Sequence, residues 1–141
     1  MTEVIVVDNS ALIEIVASIG TTAEQGRDKD LLRRLMLSTG CAPEIIDAEA
    51  LNVLRRMAMR GHLTDEQATL ALSRVADAPI RRFEHRPLLH DAWRLRHAIT
   101  GSDALYVALA EQLDAPLITC DGRLANSNGH NARIELYSTS S

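Results

Sequence analysis

The sequence has few of the features that mark several common classes of protein. Its two cysteines, Cys41 and Cys120, stand far apart without the spacing of a zinc site, and they indicate no disulfide framework. The longest uninterrupted apolar run, residues 104–110, has 7 residues, whereas roughly 20 are needed to cross a bilayer. The first residues show no basic stretch leading into an apolar segment. We therefore expect a cytoplasmic protein with no membrane span.

Aromatic residues and lysine are also scarce. Aromatic residues make up 3% of the chain, so surfaces for stacking single-stranded nucleic acid are few. Lys29 is the only lysine, and 14 of the 15 cationic residues are arginine. The formal net charge is −4, which argues against binding nucleic acid through bulk positive charge. A local binding site remains compatible with this balance.

The composition is that of a folded domain. Hydrophobic residues make up 46% of the 141 residues and charged residues 24%, which is too apolar for a disordered chain. The length suits one domain with its own core. We predict a single domain over residues 1–137 and a frayed polar tail at residues 138–141.

The spacing of apolar residues predicts short strands separated by helices. The β-branched run at residues 4–7 is typical of a strand buried on both faces, and Thr64 followed by Gln67 predicts a capping box. Helices are predicted over residues 11–19, 24–38, 45–60, 64–76, 87–97 and 103–113, and strands over residues 4–7, 41–43, 80–83, 115–120 and 133–137. This order indicates a three-layer α/β/α sandwich around a mainly parallel sheet.

Four carboxylates are expected to meet at one edge of that sheet. Asp8 and Asp121 follow predicted strands, whereas Glu49 and Asp103 lie at the beginning of helices. In a parallel sheet the carboxyl ends of strands and the starts of the helices that follow them share one edge. Carboxylates brought close together repel one another unless a cation neutralises them. Oxygen ligands without a Cys or His partner favour Mg²⁺ or Mn²⁺ over zinc, and the chemistry best served is metal-assisted phosphodiester hydrolysis.

Four segments around these acids resemble the PIN-domain nucleases, and within them the ribonuclease toxins of the VapBC type. They are VVDNSAL at residues 6–12, EALNVLRR at 49–56, DALYVALAE at 103–111 and LITCDGRLA at 117–125. The resemblance implies that Asp8, Glu49, Asp103 and Asp121 are the catalytic, metal-binding acids of a Mg²⁺- or Mn²⁺-dependent endoribonuclease. It also implies a PIN-like fold, an RNA substrate, a cognate antitoxin and a homodimer.

The assignment at position 49 has two competitors close by in the sequence. Glu44 and Asp47 are near enough to take the role given to Glu49. Glu49 is preferred because Glu-x-x-Asn fits the family pattern. Asn52, three residues further on, also lies beside it on the helix, where it could orient the carboxylate.

Further residues have both a functional and a structural interpretation. By resemblance, the hydroxyls of Ser10 and Thr119 support the metal site; alternatively Ser10 is a helix N-cap and Thr119 bonds locally within its strand. Arg123 either contacts the scissile phosphate through a charge-assisted hydrogen bond or is a solvated surface arginine. Trp93 belongs either to the core or to a dimer contact, and we predict the core.

Three other functions are weighed against a nuclease. A phosphatase with its nucleophile at Asp8 would need a second acid two positions on, where Ser10 stands, and a signalling receiver would need a lysine late in the chain. Both lack a required residue. The remaining alternative is a PIN-fold binding module that mainly sequesters its antitoxin and cleaves RNA weakly or not at all. Because all four acids are present, catalysis is favoured.

Overall fold

The computed structural model describes residues 2–18 and 27–137. The predicted tail at residues 138–141, and the beginning of the helix predicted from residue 24, lie outside the described residues. The strands are β1 (Glu3–Val7), β2 (Ser38–Pro43), β3 (Ile80–Phe83), β4 (Leu117–Thr119) and β5 (Ile134–Leu136). The helices are α1 (Asn9–Ser18), α2 (Arg27–Met36), α3 (Ile45–Met59), α4 (Asp65–Asp77), α5 (Leu89–Arg94), α6 (Asp103–Leu113) and α7 (Gly122–Ala125).

The five strands form one sheet in the order β3-β2-β1-β4-β5, and each neighbouring pair is parallel. The chain moves from β1 towards β3, then crosses back to β4 and β5. Since such crossovers are right-handed, helices before and after the reversal lie on opposite faces. Accordingly α1 packs on α3 and α4, whereas α6 packs on β1, β2 and β4. The predicted α/β/α sandwich with a parallel sheet is confirmed.

The core lies where α6 crosses the middle of the sheet. The apolar run Ala104–Ala110 is buried throughout, and it packs against central strands whose residues Ile5, Val6 and Ile118 are fully enclosed. This explains why α6 lacks a polar face, as expected of a helix surrounded by protein. Among the described residues, no helix is both long and apolar enough to span a membrane.

Several helices begin and end where the local sequence pattern predicts. The Thr64 hydroxyl accepts a hydrogen bond from the Gln67 amide, and the Gln67 side chain accepts one from the Thr64 amide. This confirms the predicted capping box at the beginning of α4. The helices predicted over residues 45–60 and 103–113 agree with α3 and α6 to within one residue at either end.

The predictions for three elements, and the predicted burial of Trp93, were wrong. The helix predicted up to residue 38 ends at Met36, and Ser38 begins β2, which is twice as long as the strand predicted at 41–43. Pairing with both β1 and β3 outweighs the helical spacing there. The helix predicted over residues 87–97 is a 3₁₀ turn followed by the short α5. Trp93 is 65% exposed rather than part of the core, and the Arg96 guanidinium lies 4.6 Å from its ring centre.

Candidate active site

The four predicted acids line one cleft of about 680 Å³ at the carboxyl edge of the sheet. Asp8 follows β1 and Asp121 follows β4, which are neighbouring strands. The chain reverses its direction across the sheet between these two strands, and such a point leaves a crevice where ligands bind in open α/β sheets. Glu49 and Asp103 reach the same cleft from α3 and α6. The cleft is also lined by Asn9, Ser10, Glu14, Asn52, Arg56, Tyr106 and Arg123.

Asp8 is 5% exposed and is held by three hydrogen bonds. Its Oδ1 accepts from the Ala11 amide at 3.0 Å and from the Ser10 hydroxyl at 2.7 Å, and its Oδ2 accepts from the Thr119 hydroxyl. Burial raises the pKa of Asp8 to about 6, against the opposing effect of these hydrogen bonds, and the negative charge of Asp103 adds to the rise. Asp8 therefore carries a charge that the fold itself disfavours.

The two hydroxyls beside Asp8 join the ends of β1 and β4. The Ser10 hydroxyl accepts from the Cys120 amide at 2.9 Å, and Thr119 Oγ1 accepts from the Asp121 amide at the same distance. The carboxylate that caps α1 is that of Asp8, so the alternative role of Ser10 as N-cap is wrong. Thr119 bonds both locally and to Asp8, so its two interpretations are compatible.

Of the acids at positions 44, 47 and 49, Glu49 is the one that lines the cleft. Asp47 instead pairs with Arg82, with Nη2 and Oδ1 2.9 Å apart, and Glu44 is exposed outside the lining of the cleft. Asn52 lines the cleft as the spacing predicts, yet the hydrogen bonds that hold Glu49 come from α6 and the residue before it.

Those donors are the hydroxyls of Tyr106 and Ser102. Tyr106 Oη donates to Glu49 Oε1 at 2.5 Å, and Ser102 Oγ donates to Glu49 Oε2 at 2.7 Å. Burial, the hydrogen bond to Glu49 and nearby negative charges raise the pKa of Tyr106 far above its ordinary value. The phenol therefore keeps its proton for Glu49. Tyr106 is 1% exposed, and its place in the apolar run at residues 104–110 gave no sign of this hydroxyl contact.

Asp103 and Asp121 form the open side of the acidic cluster. Burial raises the pKa of Asp103, and the charges of Asp121 and Glu49 raise it further, while Arg123 lowers it. Asp121 caps α7 by accepting from the Arg123 amide at 2.9 Å. The Arg123 guanidinium lies 3.7 Å from Asp121 Oδ2 and is exposed, so it is both a neighbour of the acids and free to meet solvent.

The donor set matches the preference of Mg²⁺ and Mn²⁺. All four acids offer oxygen, and their mutual repulsion is relieved most directly by a divalent cation. Over residues 2–18 and 27–137, no group of three or more Asp, Glu, His or Cys side chains is arranged to hold a metal ion. The oxygens of Asp8 and Glu49 accept hydrogen bonds but keep further lone pairs. The residues thus fit such an ion by chemistry and location.

Two further residues at the cleft were missed as site residues. Arg56 lies seven residues after Glu49, which is two turns along the same helix face, so this spacing was a usable signal. Ser102 immediately precedes Asp103, but only the fold shows that its hydroxyl faces Glu49.

Comparisons with known proteins agree with this fold and cleft. A family model described as PIN domain matches residues 5–128. Ribonuclease VapC12 of Mycobacterium tuberculosis is 39% identical over 132 residues, which cover 94% of this chain and 98% of that protein. Ribonuclease VapC1 of the same organism is 40% identical over 133 residues, which cover 93% and 96%. A chain of VapBC2 from Rickettsia felis, solved bound to a DNA fragment from its promoter, superposes with a TM-score of 0.67 at 13% identity and covers 96% of this chain and 99% of that chain.

A family match over most of the chain, together with relatives at this identity, defines membership. The chain therefore belongs to the PIN-domain family and, within it, to the VapC ribonucleases.

Proposed function

We propose that this protein is a Mg²⁺- or Mn²⁺-dependent endoribonuclease and the toxin of a toxin–antitoxin pair. The observation that carries the proposal is the convergence of four acids, distant in sequence, on one cleft at the carboxyl edge of the sheet. Asp8 and Asp121 also cap α1 and α7, but capping does not require four acids to share one cleft. The names of the two relatives, both ribonucleases, support RNA as the substrate.

Asp8, Glu49, Asp103 and Asp121 are the residues that would hold the ion. When bound, Mg²⁺ or Mn²⁺ lowers the pKa of water and neutralises charge at a phosphodiester. The chain contributes the fixed geometry: the hydroxyls of Ser10 and Thr119 orient Asp8, while those on the α6 side orient Glu49. Hydrolysis of this kind leaves a 5′-phosphate and a 3′-hydroxyl.

RNA is a polyanion, and the acids of the cleft repel it. Positive side chains near the acids are therefore needed for RNA to bind. Arg56 and Arg123 are the cations that line it among the described residues, and both are exposed. Each guanidinium can donate paired hydrogen bonds to a phosphate. We assign both to contacts with phosphates of the RNA, on the α3 side and the α7 side of the acids.

The assignment is tested with Asp103→Asn, which removes one acid but keeps its shape. Purified protein is incubated with total RNA and Mg²⁺ or Mn²⁺, and the 5′ ends of the products are sequenced. The variant should lose cleavage while its circular dichroism spectrum stays unchanged. A matched control is Asp114→Asn, because Asp114 follows α6 at its exposed far end and tolerates Asn in its left-handed conformation.

Expression in cells separates catalysis from the binding alternative. The wild type should arrest growth and the Asp103→Asn protein should be harmless. Equal toxicity of the two would favour the module that acts by sequestering its antitoxin. Undiminished cleavage by both Asp8→Asn and Asp103→Asn would refute the assignment of the acids.

The proposed setting is a homodimer in the cytoplasm, formed by one domain over residues 1–137 and inhibited by a small cognate antitoxin. The structural similarity to a chain of a VapBC complex supports the antitoxin partner. Leu89 and Trp93, four residues apart on α5, are exposed and offer apolar surface for a contact between copies. Light scattering with and without a co-expressed antitoxin measures both assemblies.

A further inference from the structure

The carboxylate of Glu49 is held by hydrogen bonds from residues on the other side of the cleft. It projects from α3, but both of its hydrogen-bond donors belong to the segment that begins α6. Ser102 precedes this helix, and Tyr106 lies one turn inside it. The same segment carries Asp103 between them. One short stretch of chain therefore both holds Glu49 and carries Asp103.

Ser102 occupies a position where serine usually does something else. It is the residue before the first residue of α6, yet its hydroxyl makes no capping hydrogen bond to the helix, and its backbone is helical rather than extended. Serine at such a position normally caps the helix, which stabilises it. Here the hydroxyl donates to Glu49 instead. Ser102 therefore forms the contact across the cleft instead of the capping hydrogen bond that its position favours.

Tyr106 is likewise more than a core residue. The residue is 1% exposed, and its ring lies in the apolar core beneath the sheet edge. A phenylalanine would fill that space equally well, and a buried phenol requires a partner for its hydroxyl. The partner is one oxygen of Glu49. Within the described residues, the hydrogen bond to Glu49 is therefore what the Tyr106 hydroxyl adds to a phenyl ring.

We propose that Tyr106 and Ser102 are positioning residues that pre-set the Glu49 carboxylate for a divalent cation. Each hydroxyl takes up one lone pair on a different oxygen, so the flexible side chain is fixed while further lone pairs stay available. Fixing a ligand beforehand reduces what binding must order. This inference depends on the proposed function, because it assumes that Glu49 meets a metal ion.

The test is Mn²⁺ affinity in Tyr106→Phe and Ser102→Ala, measured by calorimetry without RNA. Loss of such supporting hydrogen bonds typically weakens metal binding 10- to 100-fold, so we expect each variant to raise the Kd for Mn²⁺ about 10-fold. The Mn²⁺ concentration for half-maximal cleavage should rise in parallel, with the KM for RNA unchanged. Ser102→Thr, which keeps the hydroxyl, should restore the affinity lost in Ser102→Ala.

Tyr137→Phe is the matched control. The Tyr137 hydroxyl lies 3.4 Å from the carboxylate of Glu135, a residue of β5, and neither residue lines the cleft. Its loss should leave Mn²⁺ affinity unchanged. A purely structural role for Tyr106 would lower the melting temperature in chelator without changing the Kd of the folded protein. If Tyr106→Phe does not fold, the half-buried Ser102 provides the same test.

A double-variant cycle asks whether the effect passes through Glu49. In a Glu49→Gln background, Tyr106→Phe should have no further effect on Mn²⁺ affinity. The proposal would be overturned if Tyr106→Phe weakened Mn²⁺ binding further in the Glu49→Gln background. It would also be overturned if both hydroxyl variants had a Kd for Mn²⁺ within twofold of the wild type, or if they bound Mn²⁺ more tightly. The proposed function fails separately, if Asp8→Asn and Asp103→Asn both leave cleavage intact. An inactive Asp103→Asn protein beside normal hydroxyl variants would refute only the positioning role.

Discussion

Replacing Asp8 by Asn should stabilise the metal-free protein at neutral pH while abolishing its activity. The change keeps the shape of the side chain and removes a charge that is buried at the end of β1. The Asn oxygen can still accept from Ser10 and Ala11, and its amide can donate to Thr119 in place of the present contact. The variant therefore imitates the protonated form of Asp8.

The magnitude follows from the difference between the folded and unfolded pKa. Burial raises the pKa of Asp8 from 3.8 to about 6, a difference of about 2 units at 1.36 kcal/mol each. Between these values the folded state binds the proton more tightly, so stability falls as the pH rises through this window. Below pH 3.8 the penalty is absent, and above pH 6 it reaches its full value of about 3 kcal/mol.

The assay is urea unfolding followed by circular dichroism, in chelator, from pH 4 to pH 8. The wild type and Asp8→Asn should have nearly equal free energies of unfolding at pH 4, and the variant should gain up to about 3 kcal/mol by pH 7.5. Adding Mn²⁺ should then stabilise the wild type more than the variant, since a ligand stabilises the state that binds it.

Asp114→Asn is the control for removing one negative charge, because the Asp114 side chain is 93% exposed. It should show no gain in stability of the size expected for Asp8→Asn. A difference between Asp8→Asn and the wild type that stays flat from pH 4 to pH 7.5 would refute the reasoning. So would a variant that is less stable at pH 7.5 in chelator.

Three further predictions concern the scaffold and are checked by the same unfolding assay. Thr64→Ala removes the capping box of α4 and should cost about 1 kcal/mol, whereas Thr64→Ser should be nearly neutral. Arg82→Met should cost about 2 kcal/mol, because the guanidinium donates to the carbonyls of Val75, Ala78 and Ile80; a loss below 0.5 kcal/mol would contradict this role. Arg34 lowers the pKa of Glu135 through hydrogen bonds and charge, so this pair contributes stability above pH 4.5 that is lost as the pH falls through the lowered pKa. Arg34→Met should therefore destabilise the protein at pH 7 by an amount that shrinks as the pH falls below 4.5, and an effect that does not change with pH would show that the ion pair is not the cause.

Much of the candidate site was predictable because it depends on rules of topology. Asp8 and Asp121 follow short apolar strands, and Asp103 opens a helix. In a parallel sheet these places share one edge whatever the remaining sequence is. The convergence of the acids could therefore be predicted from the sequence without any knowledge of side-chain contacts. The choice of Glu49 over Asp47 rested on resemblance and on the position of Asn52, and the pairing of Asp47 with Arg82 supplies a further physical reason.

The unpredicted part of the site depends on contacts between distant segments. The hydroxyls of Tyr106 and Ser102 reach Glu49 across more than 50 positions of sequence. In the sequence, Tyr106 is indistinguishable from a core residue, because its apolar ring and its position within a buried helix dominate the pattern. Ser102 carries the signal of a helix cap, which the structure does not use.

By itself, the sequence determined what depends on neighbours along the chain: the capping box at Thr64, the helices α3 and α6, and the polar residues at the ends of β1 and β4. Periodicity and capping act within a few residues, so they can be read without the fold. Only the tertiary structure decided that β2 begins at Ser38, that Trp93 is exposed, and which hydroxyls hold Glu49. Those outcomes depend on pairing and burial between segments far apart, whose energies exceed the local preferences they override.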